Sequence, residues 1–284
     1  LSGLLTGITS LVMGGFVLSK GPTRNLNRLW FAFTGSVAIW GFGVLWVSIE
    51  KNPATALLAW RLAFGFGVIW IPVLFYHFVL IFCDNKQDRF LLFHYALGVI
   101  FSLFSFFSPW FHSGVRFVFS SFYYIIPGAL FYPYFVWWAG LVFYAHYQIY
   151  RSYLHASAIK RNQFKYILIA FVLSYGTGAL AYLPTFGIDV YPYGTFGIMF
   201  YPIIVTYAII SYRLMEIETV GHKTAAWLAA SFAIMIPVAI IFYFGHPFIE
   251  NLSPIQLALF VSGMGALLIP YAKTILPIID HFFE

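Results

Sequence analysis

Charge is what this sequence has least of: only 8% of its 284 residues are Asp, Glu, Lys or Arg. Soluble domains carry roughly 25% charged residues, so this chain cannot clothe a globule in ionic surface. Cysteine is almost as scarce. The lone Cys83 excludes an internal disulfide framework and any multi-cysteine metal or cluster site. The eight histidines are scattered without ligand-like spacing. No G-x-x-x-x-G-K-[ST] phosphate loop occurs, and neither does H-E-x-x-H nor G-x-S-x-G. A retinal Schiff base needs a lysine at mid-membrane depth, and the nearest, Lys273, sits in the last turns of the final apolar run. Acidic residues spaced along a proton or cation path are lacking as well. Nothing in these residues indicates catalysis, and an integral membrane enzyme would need the clustered carboxylates or histidines that are missing.

What is present is apolar: 62% of the residues are hydrophobic, among them 34 Phe, 20 Tyr and 9 Trp, and the mean hydropathy is +0.86. Lipid is therefore the expected solvent, and the aromatics suit interfacial belts. A spanning helix needs about 20 apolar residues. Runs between charged or Pro/Gly-rich breaks give nine candidates: 1–19, 29–49, 54–83, 90–107, 129–150, 166–183, 196–214, 224–244 and 255–275. The expectation is an all-α polytopic bundle. The first run lacks a basic leader and a small-residue cleavage site, so it reads as a retained helix.

Loop charge sets the expected orientation. One set of loops holds Lys20, Arg24, Arg28, Lys86, Arg89, Arg151, Lys160, Arg161, Lys165, Arg213, Lys223 and Lys273, whereas the opposite set holds Lys51, Arg61 and Arg116. The positive-inside rule places the first set in the cytoplasm, the amino terminus outside and the carboxyl terminus inside. The formal charge of +6 then reflects topology and not a nucleic-acid partner. Two longer connections remain. Residues 108–128 are aromatic and weakly polar, expected to lie on the membrane surface or cap the bundle, and 151–165 reads as a basic, partly helical link.

Ionisable groups inside a membrane are costly and mark function by default. Arg61 lies about two turns into the third run, by the 1.5 Å helical rise. It either meets the carboxylate or carbonyl of a ligand entering from outside or snorkels to headgroups. His77, His94 and His146 lie near inner helix ends, where a hydrogen-bonded structural role is the commoner one. Asp189, in "LPTFGIDVYPYG", either contributes to a ligand mouth or stabilises a turn. Trp46, Trp60, Trp137, Trp138, Tyr182, Tyr191 and Tyr193 gather at outer ends and fit either an aromatic-lined pocket or an interfacial belt. Pro202, Pro237, Pro270 and Pro277 are candidate kinks, each of them either a hinge or a static packing feature.

The run "YAIISYRLMEI" (207–217) closes the seventh candidate span. Tyr212 and Arg213 suit an interface, while Leu214 and Ile217 prolong an apolar face beyond it. This string resembles the end of the seven-helix sensor region at the amino terminus of a bacterial histidine kinase family. Further similar stretches are "LWFAFTGSVAIWGFG" (29–43), "AWRLAFGFGVIWIPVLFYHF" (59–78), "IKRNQFKYILIAF" (159–171) and "LPTFGIDVYPYG". The closing "LIPYAKTILPIIDHFFE", with Ile275, Ile278, Ile279 and Phe282 on one helical face, is similar to the juncture before signalling domains in nine-span quorum-sensing receptor kinases.

The resemblance implies a sensor region over 1–217, two additional spans over 218–275 and the start of a cytoplasmic signalling helix over 276–284. It implies a small, amphiphilic ligand from the outer side, a homodimer in the bacterial inner membrane, and a cytoplasmic kinase acting on a response regulator. Signal transmission would run through Tyr212, Arg213, Leu214, Met215, Glu216 and Ile217, then Ile279, Asp280 and Phe282. ATP is expected only for a kinase domain beyond Glu284, because His222 and His281 lack a phosphoacceptor context and no nucleotide box is present. A transporter or channel subunit, or a structural subunit of a membrane complex, is the alternative. Transport would need polar groups carried through the midplane, and an assembly subunit would enclose no outer cavity.

Overall fold

The computed structural model describes residues 1–85, 89–205, 241, 245, 249, 252–253, 255–263, 266 and 274. The chain forms two compact bodies, one over Ser2–Ala208 and one over Ile209–Glu284. In the second body, the helix that includes residues 255–263 carries a capping box: the Ser253 N–H donates to Gln256 Oε1 (2.8 Å) and the Gln256 N–H to Ser253 Oγ (3.4 Å). It coincides with the start of the ninth expected span. The expected transmission residues Tyr212, Arg213, Leu214, Met215, Glu216, Ile217, Ile279, Asp280 and Phe282 lie outside the described residues.

The first body is built from helices α1 (Ser2–Lys20), α2 (Asn25–Ile49), α3 (Pro53–Ala63), α4 (Trp70–Phe82), α5 (Leu91–Phe107), α6 (Phe131–His155), α7 (Ala158–Ala179) and the short α8 (Thr195–Ile198). A π-helical turn, Phe64–Val68, joins α3 to α4. Among the described residues, four stretches are long and apolar enough to cross a membrane: Ser2–Lys20, Asn25–Ile49, Pro53–Phe82 and Lys160–Phe186. Helix α5 and the stretch Thr195–Val205 are apolar but shorter.

One expectation is corrected. The chain is not purely helical, because residues 108–128 hold an antiparallel hairpin of β1 (His112–Val118) and β2 (Phe122–Pro127). Val115, Phe117, Val118, Tyr123, Tyr124 and Ile125 are β-branched or aromatic residues that favour a pleated surface. The turn between the strands places Phe119 (φ 54°) and Ser120 (φ 51°) in the left-handed region, without the glycine or asparagine that usually announces such a turn.

Small residues bring the first two helices together. A Cβ on Gly3 would collide with the Gly41 carbonyl oxygen, and one on Gly41 with the backbone of Gly7 (2.8 Å from its nitrogen). Where lipid tails are as apolar as leucine, such close backbone approach is what drives helices together. Helix α3 opens with Asn52 as its cap, accepting from the Ala54 N–H (2.8 Å), and with Pro53 in the first turn.

The π turn has a local cause. Pro72 has no N–H to give the Val68 carbonyl, and its ring crowds that same carbonyl. Widening the helix over Phe64–Val68 moves the backbone aside, and the Ile69 N–H bonds back to the Phe64 carbonyl (3.2 Å). The Gly65 carbonyl is taken by two side chains instead, accepting from Trp70 Nε1–H and from the Ser102 hydroxyl, both at 2.9 Å. Gly67 presses on α2, where a Cβ would come within 2.9 Å of the Ser36 carbonyl oxygen. Pro202 acts likewise: helical geometry is interrupted at Met199–Phe200, just before it, and resumes at Tyr201.

Candidate functional site

Helix α5 buries a narrow stripe of small residues against the body. Its buried residues are Gly98, Ser102 and Ser105, spaced i, i+4, i+7. Gly98 meets the Trp70 ring, Ser102 bonds to the π turn, and Ser105 sits beside Arg61. The Ser105 hydroxyl donates to the Arg61 carbonyl (3.2 Å). Its one proton being so used, Ser105 Oγ accepts from His112 Nε2–H at 3.1 Å.

His112 opens β1, at an irregularity in the strand register between His112 and Gly114. Such an interruption re-aims a side chain, and here the imidazole ends fully buried. Phe64 and Phe111 lie edge-on to it, with ring centroids at 4.9 and 4.7 Å, and Phe131 stands 6.2 Å away. Burial, and secondarily the positive charge of Arg61, lowers its pKa from the usual 6.5 to about 3. The ring is therefore neutral. With Nε2 protonated, Nδ1 is an acceptor, and it has no partner. The buried Arg61 Nε–H has none either. Among the described residues the ion pairs are Arg116–Asp189 and Lys160–Asp84, so no carboxylate answers the Arg61 guanidinium.

The hairpin covers this cluster and is tied down at several points. Trp60 Nε1–H donates to the Tyr123 carbonyl (3.1 Å), and the Tyr123 hydroxyl to the Lys51 carbonyl (3.2 Å). Tyr124 donates to the Ala181 carbonyl, and burial raises its pKa. Arg116 donates to the Pro184 carbonyl (2.6 Å) and pairs with Asp189 (3.2 Å). At the tip, Phe119 packs on Tyr191, with centroids 5.3 Å apart.

The residues singled out from sequence distribute unevenly around this arrangement. Trp60, Trp138 and Tyr182 join the buried aromatic core beneath the hairpin, with Phe64, Phe111, Phe131 and Tyr134. The Trp138 indole N–H there has no partner. Trp46 and Trp137 are half-buried at its rim, donating to Glu50 Oε2 (3.4 Å) and His94 Nδ1 (3.1 Å). Asp189, Tyr191 and Tyr193 lie on the exposed loop that meets the hairpin tip. His77 bonds to the Tyr95 hydroxyl (2.8 Å), and His146 to the Val142 carbonyl (2.7 Å). Sequence reading passed over His112 and Ser105. A polar residue embedded in "SPWFHSG" was the one available sign, and its pairing with a helix far back in the chain has no local signature.

No curated protein matches the chain, and no solved structure does. A family profile described as the N-terminal 7TM region of histidine kinase matches residues 3–218. That interval holds α1 from its second residue onward, all of α2–α8, the hairpin and the Arg61 cluster. The chain therefore belongs to the family of N-terminal seven-transmembrane regions of histidine kinases, and is a membrane sensor module of that class.

Proposed function

We propose that this module binds a small amphiphilic ligand from the outer side and passes a conformational signal to a cytoplasmic kinase. In this reading the chain crosses the bacterial inner membrane nine times, the hairpin end faces outward and the basic end faces the cytoplasm. It works as a homodimer. The signal leaves through residues 212–217 and 279–282 toward a kinase that consumes ATP beyond Glu284 and phosphorylates a response regulator.

The observation that carries the site is the pair of buried, unpartnered nitrogens, Arg61 Nε and His112 Nδ1, beneath an aromatic hairpin. Each orphaned polar group costs about 1–3 kcal/mol, and lipid offers no water to relieve it. A ligand that supplied the missing partners would recover that cost in one conformation of the bundle and not in another. Differential affinity of this kind is what lets a ligand move an equilibrium.

The test is autophosphorylation of the full-length protein in proteoliposomes, titrated with a lipid-soluble extract of spent medium. Arg61→Ala is expected to raise the half-maximal dose about tenfold or more, equivalent to about 1.4 kcal/mol of lost binding. An unchanged dose response removes Arg61 from the site.

A further inference from the structure

Resting on that sensor reading, we infer that the ligand's head is a carboxyl group, held by Arg61 on one oxygen and by His112 on the other. The inference starts from what each orphan lacks. Arg61 Nε–H is a donor on a permanent cation and needs an acceptor, best an anionic one. His112 Nδ1 is an acceptor and needs a donor, because its other nitrogen is committed to Ser105. Ser105 joins the two residues directly, through the His112 ring and the Arg61 carbonyl. A carboxylic acid supplies both complements from one carbon: an oxygen that accepts from arginine and an O–H whose proton passes to the imidazole Nδ1, leaving a carboxylate opposite the guanidinium.

Other head groups fall short in identifiable ways. An alcohol donates to His112 but leaves the cation without a counter-charge. An ester accepts from Arg61 but has nothing to donate. An amide makes both hydrogen bonds but cannot give up its proton, so it leaves a guanidinium that has no carboxylate among the described residues without a counter-charge. The surroundings match an apolar tail: Phe64, Phe111 and Phe131 are all buried against the His112 ring. A π turn lies three residues past Arg61, and such turns recur at functional sites.

Equilibrium binding to the full-length protein in phosphatidylcholine nanodiscs tests this with four ten-carbon probes: decanoate, decanamide, methyl decanoate and decanol. Decanoate is expected to bind saturably and at least tenfold more tightly than the other three. Arg61→Leu and His112→Phe should each erase that preference, Arg61→Lys should restore part of it, and Asp84→Asn should leave it intact. Retention of the preference in Arg61→Leu overturns the assignment, as does equal binding of decanamide or decanol. Displacement of decanoate by phosphatidylglycerol in the nanodisc overturns it in favour of a lipid headgroup. A normal preference for decanoate with unchanged autophosphorylation upholds the head-group assignment and defeats the sensing role. The opposite pattern, phosphorylation that responds to an uncharged probe, defeats the head group alone.

Discussion

His112 carries a charge state that can be tested apart from any ligand. Its pKa is lowered from 6.5 to about 3 by burial and by Arg61. Between those values the unfolded chain binds a proton that the folded chain refuses, so stability rises with pH across this window. The stabilisation is complete above about pH 6.5 and is lost as pH falls toward 3. His112→Phe removes the linkage. The midpoint of thermal unfolding in detergent should fall more between pH 7.5 and pH 5 in the parent than in this variant. Equal falls would mean that the imidazole is open to water.

At the scale of elements, the π turn ties α3, α4 and α5 into one unit through the Gly65 carbonyl. Replacing Ser102 by Ala leaves Trp70 as a donor, so the loss should be about 1 kcal/mol, a typical net hydrogen bond. Adding Trp70→Phe strands the carbonyl, and the double variant should lose more than the two single variants together. Thermal unfolding of all three checks the coupling. The hairpin offers a change of opposite sign. Ser120 holds a left-handed φ of 51°, which glycine adopts without steric penalty. Ser120→Gly is therefore expected to raise the unfolding midpoint, by about 0.5–1 kcal/mol of stability.

Helices were legible because hydropathy alone writes them. The expected runs 1–19, 29–49, 54–83 and 90–107 meet helices at Ser2–Lys20, Asn25–Ile49, Pro53–Phe82 and Leu91–Phe107. The apolar run expected from 166 lies in α7, which begins at Ala158, and the link 151–165, expected to be partly helical, holds the end of α6 and the first turns of α7. The hairpin was illegible for a different reason. Its strands, HSGVRFV and FYYIIP, lack the apolar/polar alternation that marks a strand, and its turn uses Phe119 and Ser120 in place of glycine. Arg61 was found because a cation in a greasy run is conspicuous. His112 and Ser105 were not, because their meaning arises only when the hairpin and α5 come down on α3.

For the whole molecule, orientation is the quantity that composition and loop charge bear on and that labelling can decide. With Cys83→Ser as background, the chain has no thiol of its own. Ser120→Cys at the hairpin tip should react with a membrane-impermeant maleimide on intact cells. His155→Cys, at the end of α6, should react only after permeabilisation. The reverse pattern would turn the basic end outward and place the Arg61 cluster on the cytoplasmic side, where no external ligand could reach it.

Helix α5 leaves much of its surface outside the body: Leu92 is 78% exposed and Phe107 79%, while Gly98, Ser102 and Ser105 are buried and Tyr95, Phe101 and Phe106 pack on neighbouring rings. In a bilayer that outer face meets acyl chains, so a change in lipid thickness acts on α5 from the side opposite Ser105. Because Ser105 bonds to the imidazole and to the neighbouring backbone, a tilt of α5 would strain both of those hydrogen bonds. On the sensing role proposed above, bilayer thickness and a bound ligand would then act through the same hydroxyl.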